Sequence, residues 1–543
     1  MAASEPTNPA GGSVTRTLGD PRALPLLQEL VAIAPTNLED LAAERFEKPN
    51  YRRAADAIVR AARSFGLATR IFDPLVAGAH PEEFREVPRP NVIVDLDVGG
   101  RSTVLILAHY DVVPVPAEQR ERWKSPPHTL TLRADGRLYG RGANDDLGSG
   151  VVASLIALAH LADVDGLTTN VRLLACCDEE TGGEGGIESL RAHDAALAPD
   201  DPERFLVADV ALIPDGSPET TVASSGVAFL EASFGGRVPL SEAVDYGEAL
   251  VGLDEMARAW RSAFASPDWP DRGAPAPVIT GRASVTKFDV GGVAPGEKAR
   301  LVAAHAETDA ANQIARVVTL MFEGPAPALA ALPGALAPLV APPYRLAPAG
   351  ATALSGPPGA LALQVIGEAA HGGYPHRGHN PVPAALALLR GAAAQGLLDG
   401  RATGSARFTV DLRLTPEMEL DAGLAEALAR VQGWSAAHSL SARIEAPPAR
   451  CRPGYALPAG HPSAAKLDRI LRATVGAHGP RGEYGGTDAS SLRGLTTPSG
   501  APLPALVFGS MDDASHIHDA EESVDPRVLA GVIASLERFV REP

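Results

Sequence analysis

The chain has 543 residues, 45% of them hydrophobic and 21% charged, with a formal net charge of −18. That length exceeds one ordinary domain and suffices for a large buried core. The acidic balance argues against a non-specific nucleic-acid or anionic-membrane binder and says nothing about fold.

Residues 1–18 hold no basic segment followed by an apolar one, so a flexible tail is expected there rather than a signal peptide. Asp20–Pro21 ahead of RALPLLQELVAIA predicts a capped helix with Pro at its first position. A second helix is predicted from about Asn50 to Phe65, closed near Gly66. β-type runs follow at ATRIFD, NVIVDLDV (91–98), TVLILAHY (103–110), NVRLLACC (170–177) and DVALIPD (209–215). Between the third and fourth, LGSGVVASLIALAHLA (147–162) suits a buried helix. Strands alternating with helices imply an α/β domain with a mostly parallel sheet, and ligand sites favour the strand ends of such sheets. Cys176 and Cys177 are adjacent and Cys451 is the only other cysteine. That pattern excludes a disulfide framework and implies a reducing, cytoplasmic compartment.

Residues 219–452 contain Ala/Pro/Gly-rich linkers, notably 324–360, around separate β and helical pieces, which predicts an α+β insert. The apolar stretch 325–344 is broken throughout by proline and glycine and does not suit a membrane span. The α/β pattern resumes near 455, with a helix from about Pro462 to Val475, a strand PALVFG (504–509) and a final helix PRVLAGVIASLERFV. The expected organisation is a discontinuous domain, 19–218 and 453–543, interrupted by a large insert, 219–452.

Four stretches place a hard ligand directly after an apolar run. They are LILAHYDVVPV with His109 and Asp111, LYGRGANDDLGSG with Asp145 and Asp146, LLACCDEETGGEGG with Asp178, Glu179 and Glu180, and ALIPDGS with Asp215. Downstream, VFGSMDDASHIHDAEESV adds His516 and His518. Three carboxylates in a row repel and raise one another's pKa, which a solvated turn tolerates and a bound cation relieves. The mixed nitrogen and oxygen set suits zinc, with manganese or cobalt as alternatives. In His-x-Asp, a carboxylate two residues on can hold the second ring N–H of a metal-bound His and fix its tautomer. Taken singly, a His at a strand end or an Asp-Asp pair is more often structural, as a turn or a helix cap. Five such sites in one order are not readily explained as caps.

In this order, the motifs resemble a family of co-catalytic zinc hydrolases that includes aminoacylase, carboxypeptidase G, succinyl-diaminopimelate desuccinylase, and dipeptidases of the peptidase V and carnosinase types. Between the two halves, VIGEAAHGGYPHRGHNP (365–381) resembles the family's lid-domain histidine motif and DLRLTP (411–416) its arginine motif. The resemblance implies a zinc-peptidase-like α/β/α catalytic domain interrupted by a lid. It also implies two zinc ions, one held by His109 and Asp215, the other by Glu180 and His518. Asp145 would bridge both, together with a water or hydroxide. Asp111 would orient His109, Glu179 would be the general base, and Asp178 would be only a polar neighbour.

His518 is favoured over His516 because H-D-A-E-E has the family's spacing, with a Glu four residues after the ligand. His371 would help polarise the scissile carbonyl, although His376 and His379 lie close by in sequence. Arg413 would clamp a substrate carboxylate through its fork of donors, and Asn380, Gly486 and Thr487 would line the substrate pocket. A cis peptide is expected between Asp145 and Asp146. Leu147 departs from the family, which usually has Lys there, at a position that is not a ligand.

The implied reaction is amide hydrolysis. Within the family, an Asp at the position of Asp215 is typical of peptidases. The size of the insert resembles that of peptidase V-type enzymes, in which an enlarged lid substitutes for a dimer partner. The expectation is a dipeptidase or carboxypeptidase acting on short peptides with a free carboxylate, as a monomer or homodimer. An N-acyl-amino-acid deacylase is the alternative, and a non-catalytic metal-binding homologue is the competing class. No nucleic-acid or membrane partner is expected.

Overall fold

The structure is a computed structural model, and it describes the chain outside residues 1–8, 37–49, 75–87, 116, 235–238, 266–277, 292–297, 308–312, 350–358, 372–374, 400–405, 439–441, 448–449, 459, 477–478 and 543. The chain divides into two compact units. One is Met1–Val222 with Leu457–Arg481 and Thr487–Pro543; the other is Ala223–Ala456 with Gly482–Gly486. The second unit therefore takes in a short piece of the C-terminal stretch that sequence assigns wholly to the first.

The first unit is built on β1 (Ala68–Phe72), β2 (Asn91–Leu96), β3 (Ser102–His109), β4 (Thr169–Cys176), β5 (Val210–Ile213) and β6 (Ala505–Val507). Their order in the sheet is β1-β2-β4-β3-β5-β6, continued by Thr221–Ser224. β4, β3, β5 and β6 pair parallel, whereas β1, β2 and Thr221–Ser224 join antiparallel at the edges. Every residue from Val104 to His109 is buried, as are Leu173 to Cys176. Strands at the centre of a parallel sheet are covered on both faces, which is why these two read as continuous apolar runs.

Helices α1 (Ala23–Ile33), α2 (Tyr51–Ser64), α3 (Ala153–Ala162), α4 (Ile187–Ala195), α5 (Pro462–Thr474) and α6 (Pro526–Arg541) belong to this unit. Helix α6 shows why the sequence folds as it does. The Asp525 side chain accepts from the Arg527 N–H, Pro526 occupies the first position, and Leu529, Val532, Leu536 and Phe539 line the buried face. That face packs on α3 and α5. Residues 9–18, expected within a flexible tail, are helical instead; Val14 and Leu18, four residues apart on one side, are buried.

The second unit is an antiparallel sheet in the order Arg345–Pro348, Leu361–Ile366, Val317–Glu323, Arg300–Glu307, Arg282–Gly291, Ala406–Leu414, Gly226–Phe234, Ala442–Glu445. Leu240–Val251 and Pro381–Ala394 lie against it, around a core that includes Leu230, Phe288, Phe322, Leu386, Leu389 and Phe408. The stretch expected as a linker, 324–360, contains a helix, Ala326–Leu336, and the edge strand Arg345–Pro348. Alanine favours a helix, and Leu329, Leu332 and Leu336 repeat at helical spacing and are buried. Among the described residues, no helix is long and apolar enough to cross a membrane.

Candidate metal centre

Parallel pairing brings the C-terminal ends of β3, β4 and β5 to one edge of the sheet. His109 is the last residue of β3, the turn bearing Glu179 and Glu180 follows β4, and Asp215 lies just past β5. Asp145 comes from the loop ahead of a π-helical turn, Leu147–Val152, that leads into α3. The glycines of GANDDLGSG are explained by close approach: a Cβ on Gly148 would lie 2.1 Å from the Ala143 carbonyl oxygen, and one on Gly150 would lie 1.8 Å from Asp146 Oδ2. The Asp145–Asp146 peptide is cis. All these residues belong to the first unit.

Asp145 lies between two histidines. His109 Nε2 is 3.3 Å from its Oδ1, and His518 Nε2 is 2.8 Å from its Oδ2. Beyond His109, Asp215 Oδ2 lies 3.9 Å from the same Nε2; beyond Asp145 on the other side, Glu180 Oε2 lies 3.1 Å from His518 Nε2. One ligand atom each from His109, Asp145 and Glu180 fall within 4.8 Å of one another. His516, two residues from His518, is exposed. The structure thus brings together all five residues that sequence singles out as ligands, in two pairs on either side of Asp145.

The histidine tautomer follows from the hydrogen bonds. His109 Nδ1 is 3.0 Å from the Asp111 carbonyl oxygen, which can only accept, so Nδ1 carries the proton. In the neutral ring Nε2 then holds a lone pair, and it is buried without a hydrogen-bond partner. Glu180 Oε1 is orphaned in the same way. Buried orphan acceptors in a cluster of carboxylates and imidazoles are what a cation site presents, so the donor set fits a metal.

The Asp111 side chain does something sequence reasoning did not assign to it. Its carboxylate is 3.5 Å from His109 Nδ1, and it accepts from the Glu179 N–H at 3.1 Å and the Glu180 N–H at 3.2 Å. It therefore holds the glutamate turn, while its backbone carbonyl is the nearer partner of the imidazole.

The electrostatics show a negative charge in excess. Burial pushes Glu180 up to about 7 and lifts Asp215 well above the usual carboxylate range, with Asp145 and Glu179 adding repulsion at Asp215. Asp146 is raised by burial and by Asp215. Asp145 goes the other way: burial opposes ionisation, but the adjacent His109 and His518 imidazoles outweigh it. Both histidines are raised in return, against the effect of burial, His109 by Asp111 and Asp145 and His518 by Glu180 and Asp145. Divalent cations would offset this repulsion and invert the local pKa logic.

Several supporting residues escaped the sequence reading. Asp178, expected to be only a polar neighbour, is buried and ion-paired with Arg89, which is buried too. Glu522 is 1% exposed; it accepts from Arg141 Nη1 at 2.7 Å and from the N–H groups of Gly142, Asn144 and Asp145 at 3.1–3.2 Å. Gln119 joins the two loops by accepting from Arg141 Nη2 and donating to the His518 carbonyl at 2.8 Å. The signal for Glu522 was present in the spacing from His518, but its partners lie 377–381 residues away.

The expected substrate contacts fare differently. His371 lies on the strand Ala370–His371, paired with Gln313–Ile314, and its side chain falls outside the described residues. Arg413 is 2% exposed, with Nε and Nη2 bonded to the two oxygens of Asp411 at 2.7 and 2.8 Å. It is neither a water-exposed strand arginine nor a fork wholly available to a ligand. Asn380 caps the helix Pro381–Ala394, accepting from the Val382 N–H and donating to the Val285 carbonyl. The cap is a structural role that the sequence reading did not assign to it. Gly486 is exposed; Thr487 is buried and its carbonyl anchors the turn to Ser490.

The arrangement of donors allows a metal centre, and comparison with known proteins shows the family to which the chain belongs. Residues 105–542 match the model of Peptidase family M20/M25/M40. The chain belongs to this family. Among curated M20-related proteins, it is 35% identical over 122 residues to the Cys-Gly metallodipeptidase of Schizosaccharomyces pombe and 40% identical over 119 residues to the cysteinylglycine-S-conjugate dipeptidase of Corynebacterium striatum. It is also 43% identical over 101 residues to the succinyl-diaminopimelate desuccinylase of Acidovorax ebreus. These matches take in 21%, 22% and 18% of this chain and 24%, 24% and 25% of the relatives, so it spans about a quarter of their length. Human carnosine dipeptidase 1 has a similar fold, with a TM-score of 0.55 at 13% identity over 98% of each chain. So does the M20 family metallo-carboxypeptidase of Sulfolobus solfataricus, at 0.54 and 14% over 95% of this chain and 98% of that one.

Proposed function

We propose that this M20 protein is a metal-dependent amide hydrolase that cleaves dipeptides or other short peptides with a free carboxylate. The observation that carries the proposal is Asp145, whose two oxygens face His109 and His518 separately, each histidine backed by a further carboxylate. His109 and Asp215 would hold one divalent cation and Glu180 and His518 a second, with Asp145 shared. Zinc suits this donor set, and manganese or cobalt would also fit. Such cations supply, when bound, the positive charge that acidifies water and offsets charge developing on a carbonyl oxygen.

The chain's own groups do the rest. Asp111 fixes the turn by accepting from the Glu179 and Glu180 N–H groups. Glu180 would hold a cation, leaving Glu179 to take the proton of the attacking water and return it to the departing amine nitrogen. The second unit serves as a lid in this reading. His371 polarises the scissile carbonyl and Arg413, oriented by Asp411, meets the substrate carboxylate; both assignments rest on the likeness of their motifs to those of the family. The unpaired Cys176, Cys177 and Cys451 favour a cytoplasmic setting.

The two dipeptidases among the relatives favour peptide substrates, and the desuccinylase supports an N-acyl-amino-acid deacylase as the second reading. Hydrolysis of matched dipeptides and N-acetyl amino acids, with zinc, manganese or cobalt added, separates them. Dipeptide turnover that falls at least about 100-fold in Glu179→Gln, with metal content unchanged, is the expected result. Turnover of the acyl compounds alone would transfer the protein to the deacylases. Near-normal turnover in the variant would remove Glu179 as the base, and silence on both panels would favour a non-catalytic homologue.

A further inference from the structure

We infer that Arg89 is a positioning residue that sets the placement of Glu179 and Glu180 by holding Asp178 from behind their turn. The inference rests on the hydrolase proposal for its kinetic consequences but on packing for its argument.

Arg89 and Asp178 are each 1% exposed, and Arg89 Nε donates to Asp178 Oδ2. Asp178 has φ +61, a left-handed backbone uncommon outside glycine, which aspartate adopts more readily than most residues and which surrounding constraints help to fix. The ion pair is one such constraint. The turn then folds back over the pair: the Gly183 N–H donates to the Asp178 carbonyl at 2.5 Å, and Gly182 and Gly183 both have positive φ. Gly185 closes the wrap, since a Cβ there would lie 2.0 Å from Arg89 Cδ and 2.4 Å from Asp178 Oδ2. Asn91, two residues from Arg89, donates to the Gly185 carbonyl at 2.8 Å and to the Arg89 carbonyl at 3.2 Å, tying the two segments together.

From the other side, Asp111 accepts from the Glu179 and Glu180 N–H groups. The glutamate turn is therefore held between two buried charges, Asp111 ahead of it and Arg89 behind it. Loss of the guanidinium leaves Asp178 buried without its counter-charge. Moving Asp178 toward solvent relieves this, and that motion displaces the next two residues in the chain. Displacement of a catalytic group by about 1 Å can cost about 100-fold in rate.

The test uses the full chain carrying Arg89→Met, Asp178→Asn or both, with Arg89→Lys as a milder variant that keeps the charge should the others not fold. Two readouts are taken on folded protein: kcat and KM with a dipeptide at saturating metal, and the visible absorption spectrum and binding affinity of added Co2+. The positioning role predicts that Arg89→Met and Asp178→Asn each lower kcat about 100-fold with KM held within about threefold, and that Arg89→Lys lowers kcat by less. It also predicts a shifted cobalt spectrum, and a double variant no worse than Arg89→Met because both act through one contact. A melting temperature that falls while kcat, KM and the cobalt spectrum stay at wild-type values would overturn it. Because the cobalt readout needs no turnover, a wild type that hydrolyses nothing would refute the hydrolase proposal and leave this inference to be judged on the spectrum alone.

Discussion

Replacing Glu522 with Gln removes one charge from a site that has no access to water. Glu522 and Arg141 are each 1% exposed, and the carboxylate receives four donors: the Arg141 guanidinium and the N–H groups of Gly142, Asn144 and Asp145. A glutamine offers one acceptor oxygen, which the Arg141 guanidinium and the Gly142 N–H claim, and turns its amide nitrogen toward the Asn144 and Asp145 N–H groups. Arg141 loses its counter-charge, and two of the four donors face an amide nitrogen. Breaking a buried pair from one side costs about 3–5 kcal/mol. For a unit of this size each kcal/mol corresponds to about 2 °C, so the melting temperature of the metal-stripped protein should fall by about 6–10 °C. Scanning calorimetry reads this directly, and metal analysis of samples reloaded with zinc should show poorer loading, because the Asp145 N–H is one of the orphaned donors. A shift below about 2 °C, with loading unchanged, would refute the reasoning that Glu522 holds the Asp145 loop.

Gly150→Ala would drive a methyl group into Asp146 Oδ2, the oxygen that accepts from the His109 N–H at 3.3 Å. Overpacking costs about 1–3 kcal/mol, and metal titration should show weakened binding out of proportion to that small loss of stability. His160 sits between Asp20 Oδ2 at 2.8 Å and Glu537 Oε1 at 2.6 Å; burial opposes its protonation, but the two carboxylates raise its pKa overall. A raised histidine contributes stability that is complete below its unfolded pKa and lost as pH rises through the folded value. Thermal melts of His160→Asn should therefore show a deficit at pH 6 that shrinks by pH 9; an equal deficit at both would show that packing, not charge, is what the ring contributes. The pH 6 end stays clear of Asp20, which its Arg22 and His160 partners hold at about 2 against the effect of burial, so that its own contribution is lost only in acid.

Much of the site was legible because a parallel sheet converts sequence order into spatial proximity. His109, Glu180 and Asp215 each follow an apolar run, and those runs are neighbouring strands ending at one edge. What was not legible is the layer behind the ligands. Arg89 and Asp178 are 89 residues apart, and Arg141 and Glu522 are 381 apart, with no periodicity to link them. A buried ion pair leaves no local pattern in sequence, so Asp178 read as a bystander. Composition misled in the other direction at 326–336, where proline and alanine suggested a linker but three leucines at helical spacing settle the chain against the second unit's core. In sequence Asn380 reads only as a substrate contact, although an asparagine ahead of a proline also suits a helix N-terminus, where the structure shows it accepting from the Val382 N–H.

The central claim is that Asp145 is shared by two cations. Crystals of the zinc-loaded protein, measured with X-rays just above and just below the zinc absorption edge, would locate the metals without reference to activity. The account predicts two anomalous peaks, one among His109, Asp215 and Asp145 and the other among Glu180, His518 and Asp145. A single peak, or peaks that leave Asp145 uncoordinated, would contradict it.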